Sequence, residues 1–173
     1  LENVFAGTIE MPMLDERVTL FNEVGRVLVE NYEGRYSNFV RSCAPRLYAG
    51  GDGLLERLTS EFSRFRDVSI YDGAEVFIYK LAQLGIWGMH LALSPQKAWE
   101  LEDAHMLTAF ADYIVPVGLR VTGIFEYAPE LEEQINSLVE VPRESQAEVE
   151  LRAGSIYAIA RLTDEINKRR PGM

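Results

Sequence analysis

The 173-residue chain predicts an all-α fold: a compact, multi-helix single domain over residues 1–173. Three observations point there. Apolar residues recur at helical spacing along most of the chain. Strand signals are sparse, the one alternating candidate being the weak Asp67-Val-Ser-Ile-Tyr71. No repeat, low-complexity tract or linker interrupts the pattern, and hydrophobic residues make up 47 % of the chain, enough for a real core.

Taken in order, Leu14, Val18, Phe21, Val24 or Gly25, and Leu28 recur at helical spacing behind Pro12, a residue suited to a first turn, and Gly34 punctuates the end. A short helix is expected over 37–43. Ala49-Gly-Gly-Asp-Gly53 reads as a loop, followed by a helix over 54–62. Asp72 and Glu75 form an Asp-x-x-Glu capping box, which predicts a helix over 73–93 with Val76, Lys80, Gln83 or Leu84, and Trp87 on one face. Asp103 is expected to cap a helix running to Pro116, which bends there because proline cannot donate to the carbonyl of Asp112. Pro129 opens a helix through Leu138. Ser145 and Glu148 form a second capping box, opening a last helix to about Asn167.

Composition excludes several classes. The formal net charge of −10 opposes non-specific binding to a phosphate backbone, so no nucleic-acid partner is expected. No apolar run reaches the ~18 residues of a membrane span, so no membrane partner is expected. The opening Leu-Glu-Asn has no basic n-region, and the single cysteine, Cys43, has no internal partner; a reducing cytoplasm is the natural expectation. His90 and His105 lack metal-ligand spacing, so neither a metal nor another cofactor is expected. Gly-rich phosphate loops and Gly-x-Ser-x-Gly elbows are absent from the sequence.

Chemistry concentrates in residues 67–116. Lys80 and Asp112 are lone, opposite charges in apolar segments, and such a charge is costly unless it is paired or used. Lys80 reads either as a cation facing a nucleoside or carboxylate, or as a snorkelling side chain. Asp112 reads either as a carboxylate facing a sugar or as a residue satisfying backbone near a proline. Asp67 suits the N–H edge of a guanine-like base, or a cap. Tyr79, Trp87, Phe110 and Tyr113 could stack a planar base, although core packing is the default for an aromatic residue. Glu148 and Arg152 form an i, i+4 ion pair.

Several blocks in order resemble the queuosine salvage family of queuosine 5'-phosphate N-glycosylases. They are Met11-Pro-Met-Leu-Asp-Glu-Arg-Val18, Asn22-Glu-Val-Gly25, Phe65-Arg-Asp-Val68, Tyr79-Lys-Leu-Ala-Gln83, Phe110-Ala-Asp-Tyr-Ile-Val-Pro116, Glu148-Val-Glu-Leu-Arg152 and Ser155-Ile-Tyr157. Leu81, Ile114 and Val117 depart from the family's pattern, which has Arg, Arg and Gln in those places. The resemblance implies a helical core like that of the helix-hairpin-helix DNA glycosylases. It also implies hydrolysis of queuosine 5'-phosphate to queuine and ribose 5-phosphate. Asp112 and Lys80 would then be catalytic, Asp67, Tyr79, Gln83, Tyr113 and Phe110 would bind substrate, and Glu148 and Arg152 would orient the site. The partner would be that small nucleotide or its nucleoside, and hydrolysis does not require a Schiff base on Lys80. Family members extend past both ends of this chain, so a fragment of a longer protein is also an expectation. A second reading is a non-catalytic or divergent nucleoside-binding helical domain.

Overall fold

The computed structural model describes residues 6–8 and 11–170. The chain divides into two compact units: residues 1–66 with 90–104, and residues 67–89 with 105–173.

In the first unit, α1 (Leu14–Tyr32) follows Pro12 as its periodicity predicts, and it ends where Glu33 and Gly34 both turn left-handed. The Gly34 N–H donates back to Leu28 O at 2.9 Å, closing the last turn. Next come α2 (Tyr36–Ser42) and α3 (Leu54–Glu61), both close to their predicted bounds. Phe39 is the centre of this core. It meets Tyr32 and Phe62 edge-on, with ring centroids at 5.2 and 5.1 Å, among buried Val40, Leu47, Leu54, Leu55 and Leu58. The glycine-rich loop before α3 is tied down by one carboxylate: Glu56 Oε2 accepts the N–H groups of Ala49, Gly51 and Gly53.

Asp103 does not cap a long helix. It is buried, and its carboxylate accepts the N–H of Leu47 at 2.7 Å. Only a single 3-10 turn, Ala104–Met106, follows it, and the chain then runs without helix to Asp112.

The second unit overturns the all-α expectation. It opens with an antiparallel hairpin, β1 (Val68–Tyr71) paired with β2 (Ala74–Phe77), in the register Val68↔Phe77 and Tyr71↔Ala74. The class is therefore mixed α/β. Asp72 and Gly73 are not a helix start but the two-residue turn of this hairpin, both with positive φ (48° and 77°). Asp-Gly is the dipeptide best suited to that turn, and the flanking Ile70, Tyr71, Val76 and Phe77 favour strand. The helix expected over 73–93 is accordingly shorter: α4 spans Lys80–Leu93. Its switch point is Tyr79, with φ at 50°, whose carbonyl accepts the Gln83 N–H at 3.0 Å.

Pro116 opens a helix rather than ending one. It is the third residue of α5 (Ile114–Val121), inside the first turn, where a missing N–H costs nothing. The next helices are α6 (Pro129–Asn136), which stops two residues before the expected Leu138, and α7 (Gln146–Arg169). Buried Ile78, Ala82, Ala111, Leu119 and Val149 come from the end of the hairpin, α4, the segment before α5, α5 and α7. Tyr71 donates its hydroxyl proton to Glu150 Oε1 at 2.5 Å, joining the hairpin to α7.

Ser145 caps α7: its hydroxyl accepts the Glu148 N–H at 3.3 Å. The reciprocal bond of the expected box lands one residue early, on the Glu144 N–H at 3.2 Å. Ser145→Ala should lower stability by about 1 kcal/mol, the usual cost of a lost N-cap. Chemical denaturation would measure the loss, and an unchanged midpoint would remove the cap from the stabilising interactions of α7.

Candidate active site

Asp67 sits at the base of the hairpin and works with both backbone and side chain. Its carbonyl accepts the N–H groups of Ile78 and Tyr79 at 3.0 and 3.2 Å. Its carboxylate oxygen Oδ2 accepts the N–H of Lys80 at 3.3 Å, capping the first turn of α4. The same carboxylate takes a two-pronged grip from Arg152 on α7, Nη1 to Oδ1 at 3.0 Å and Nη2 to Oδ2. Arg152 also donates Nε–H to the carbonyl of Ala111 at 3.2 Å and Nη1–H to Glu148 Oε1 at 3.3 Å. One guanidinium thus fixes the residue before Asp112 and, through Asp67, the backbone of Lys80. Burial alone would favour a neutral Arg152, but the bonds and charges of Asp67 and Glu148 outweigh it and hold its pKa above the ordinary value.

Gln83 braces the same segment from α4. Its amide donates to Ile78 O and Thr108 Oγ1 at 3.1 and 2.9 Å, and its oxygen accepts the Thr108 N–H at 2.9 Å. The stretch from Thr108 to Ala111, which has no helix or strand of its own, is therefore held at both ends by side chains.

That scaffold places Lys80 Nζ 3.6 Å from Asp112 Oδ2. Asp112 precedes α5, and its Oδ1 accepts the N–H groups of Ile114 and Val115 at 2.8 and 3.3 Å. Burial pushes its pKa up, but the two N–H groups and the Lys80 ammonium overcome this and hold it below the ordinary aspartate value. Asp112 is therefore a firmly ionised carboxylate at neutral pH, unsuited to donating a proton.

The pair faces an open cavity of about 800 Å³, within the size range of small-molecule sites. Of the residues singled out in the sequence, Lys80, Asp112, Tyr113, Glu148 and Arg152 line it. Tyr113 is 82 % exposed, so its ring stands free at the cavity. Asp67, Gln83, Tyr79 and Phe110 do not reach the wall. Asp67 and Gln83 are spent on the contacts above, and the Tyr79 ring lies 5.7 Å from that of Phe77.

Arg120, Tyr127, Glu140 and Arg143 complete the polar wall, and sequence reasoning passed over all four. Arg120 carried a usable signal, since it is a lone charge in the apolar Ile114–Val121, the same mark that flagged Lys80. It bonds Glu132 Oε1 at 2.6 Å and Asn136 Oδ1 at 3.1 Å, with its guanidinium carbon 5.0 Å from the centre of the Tyr127 ring. Among the described residues no cluster of three or more His, Cys, Asp or Glu side chains could hold a metal ion, and no helix is long and apolar enough to cross a membrane.

The model of the family described as queuosine salvage protein matches residues 1–173. Curated relatives of the chain carry the name queuosine 5'-phosphate N-glycosylase/hydrolase. That of Sphaerobacter thermophilus is 37 % identical over 166 residues, covering 96 % of this chain and 50 % of the relative. That of Dictyostelium discoideum is 36 % identical over 159 residues, covering 92 % and 48 %. That of Schizosaccharomyces pombe is 30 % identical over 165 residues, covering 95 % and 46 %. The chain spans about half the length of the curated relatives it matches.

Arg152→Met keeps the aliphatic stem and deletes the grip on Asp67, Glu148 and Ala111. The loss should be on the order of 2–4 kcal/mol, below the ~3–5 kcal/mol of a fully buried pair that loses one partner, because both side chains keep some solvent contact. Thermal or urea unfolding would read it. A shift no larger than that of an exposed ion pair would show that the three contacts do not act together.

Proposed function

The chain belongs to the queuosine salvage protein family, and from that premise we propose that it hydrolyses the N-glycosyl bond of queuosine 5'-phosphate. The products are queuine and ribose 5-phosphate. The observation that carries this reading is the Lys80–Asp112 pair, 3.6 Å apart on the wall of an open cavity.

In the reaction the C1'–N bond breaks, the bonding electrons leave with the base, and water supplies the new C1'–O bond. One water proton ends on the base and the hydroxyl on the ribose. As the bond stretches, positive charge builds on the sugar, as in other glycoside hydrolyses. A carboxylate already ionised and held by two backbone N–H groups meets that charge without reorganising. These contacts support a role for Asp112 in this task and in orienting the water. Its depressed pKa argues for electrostatic stabilisation over proton donation.

Lys80 complements it. The departing 7-deazapurine is a poor anion, and an ammonium beside the reacting bond lowers the cost of its developing negative charge. Lys80 also helps keep Asp112 ionised. The exposed ring of Tyr113 offers a face for the planar base, and the half-buried ring of Tyr127 a second wall. In this reading Glu148 and Arg152 orient the site from the cavity wall, and Asp67 holds Arg152 and the start of α4. Gln83 acts in this reading as a brace and not as a base contact.

Asp112→Asn preserves shape and an acceptor for the caps of α5, so the variant should fold and bind. Its turnover of queuosine 5'-phosphate should fall about 10²–10³-fold, the scale seen when one preorganised electrostatic group is removed. Queuine release, followed by chromatography, is the measurement; near-normal turnover would take the sugar-facing role away from Asp112.

The pH profile is a separate test. Activity needs the carboxylate ionised, so it is present above the folded-state pKa and lost as pH falls through it. Because that pKa is depressed in the ligand-free protein, the acid limb of kcat/KM should lie below the ordinary aspartate value of about 3.9. A limb at or above pH 5 in the folded protein would assign the essential ionisation to another group.

A further inference from the structure

Four cationic side chains, Lys80, Arg120, Arg143 and Arg152, line the cavity beside three carboxylates, Asp112, Glu140 and Glu148. The chain as a whole carries a formal net charge of −10, so these four cations are the groups on this wall that could receive an anion. The cations differ in what they already hold. Arg152 is committed to Asp67, Glu148 and Ala111 O. Lys80 is paired with Asp112. Arg120 is locked by Glu132 at 2.6 Å and Asn136 at 3.1 Å, beside the Tyr127 ring. Among the described residues Arg143 pairs with its neighbour Glu144 alone, at 3.5 Å, and its side chain is 78 % exposed.

From this contrast we propose that Arg143 is the residue that recognises a phosphomonoester in this cavity, and so sets preference for a 5'-nucleotide over its nucleoside. The proposal deepens the reading above and rests on it for the identity of the whole substrate, but not for the anion contact itself. Binding an anion costs Arg143 little, because an exposed ion pair with an adjacent residue is weak. Recruiting Arg120 would break two good hydrogen bonds. The guanidinium fork suits two phosphate oxygens at once. Its backbone is well mounted: the next residue, Glu144, donates its N–H to Glu148 Oε2, and Ser145 caps α7. The carboxylates Glu148 and Asp112 are paired with Arg152 and Lys80, which leaves Glu140 and Arg143's own neighbour Glu144 as the charges an anion on Arg143 must meet.

The test uses ribose 5-phosphate and ribose as probes, by calorimetric titration of the full chain and of Arg143→Gln. Its exposure makes Arg143 a tolerant position, and an unchanged melting temperature would confirm the variant's fold. The expected result is that the wild-type chain binds ribose 5-phosphate at least tenfold more tightly than ribose, and that Arg143→Gln loses most of that difference without weakening ribose. Arg143→Lys should restore part of it. Undiminished phosphate preference in Arg143→Gln, or no phosphate preference in the wild type, overturns the proposal. Loss of preference in a chain that nevertheless releases no queuine would sink the hydrolase reading while leaving the anion site standing.

Discussion

The second unit depends on the contacts of one guanidinium. Arg152 reaches from α7 to the base of the hairpin at Asp67, to the carbonyl of Ala111 and to Glu148 one turn away. Asp67 in turn caps α4 at Lys80, and Ala111 precedes Asp112. The two charges on the cavity wall are thus set by a common support, and neither could shift alone without disturbing it. An ion pair so largely withdrawn from water stabilises little relative to an apolar packing of the same volume. What it supplies instead is direction: five donors in a rigid plane that meet acceptors from three places in the chain.

Helices whose signals are local were legible in the sequence. The periodic face behind Pro12, the glycine loop before α3 and the Ser145 cap all fix structure within a few residues of themselves. The hairpin was not legible as written, because Asp72 satisfies two patterns. It begins an Asp-x-x-Glu capping box, and it begins an Asp-Gly turn. The turn wins because Gly73 takes positive φ at no steric cost, whereas a helix would set Gly73 in its first turn and crowd the β-branched and aromatic residues beside it. The same error placed Lys80 mid-helix when it opens one.

Site residues divide along a similar line. Lys80 and Asp112 stand out because a lone charge in an apolar segment demands an explanation, and each proves to be the other's partner at 3.6 Å. Glu148 and Arg152 stand out as an i, i+4 pair, but the bond that matters most for Arg152 runs to Asp67, 85 residues away, which no local spacing announces. Gln83 and Thr108 meet across 25 residues for the same reason. Arg143 lies in a polar stretch whose composition resembles any solvated loop. Only its place at the cavity wall distinguishes it.

The placement of Asp112 decides what kind of chemistry the site favours. A carboxylic acid that must donate a proton is usually buried away from cations and donors, which raises its pKa. Asp112 has the opposite surroundings: two backbone N–H groups on one oxygen and an ammonium facing the other. These contacts make it a persistent negative charge and a weak base. Such a group contributes most where positive charge develops in the transition state and least where a proton must be moved. Cleavage of a C1'–N bond, with charge building on the sugar before water is fully engaged, has that requirement. The cavity then needs its cations elsewhere, for the base and for any anion carried by the sugar. Lys80, Arg120, Arg143 and Arg152 are the cations on that wall, within a chain whose overall charge opposes an anionic ligand.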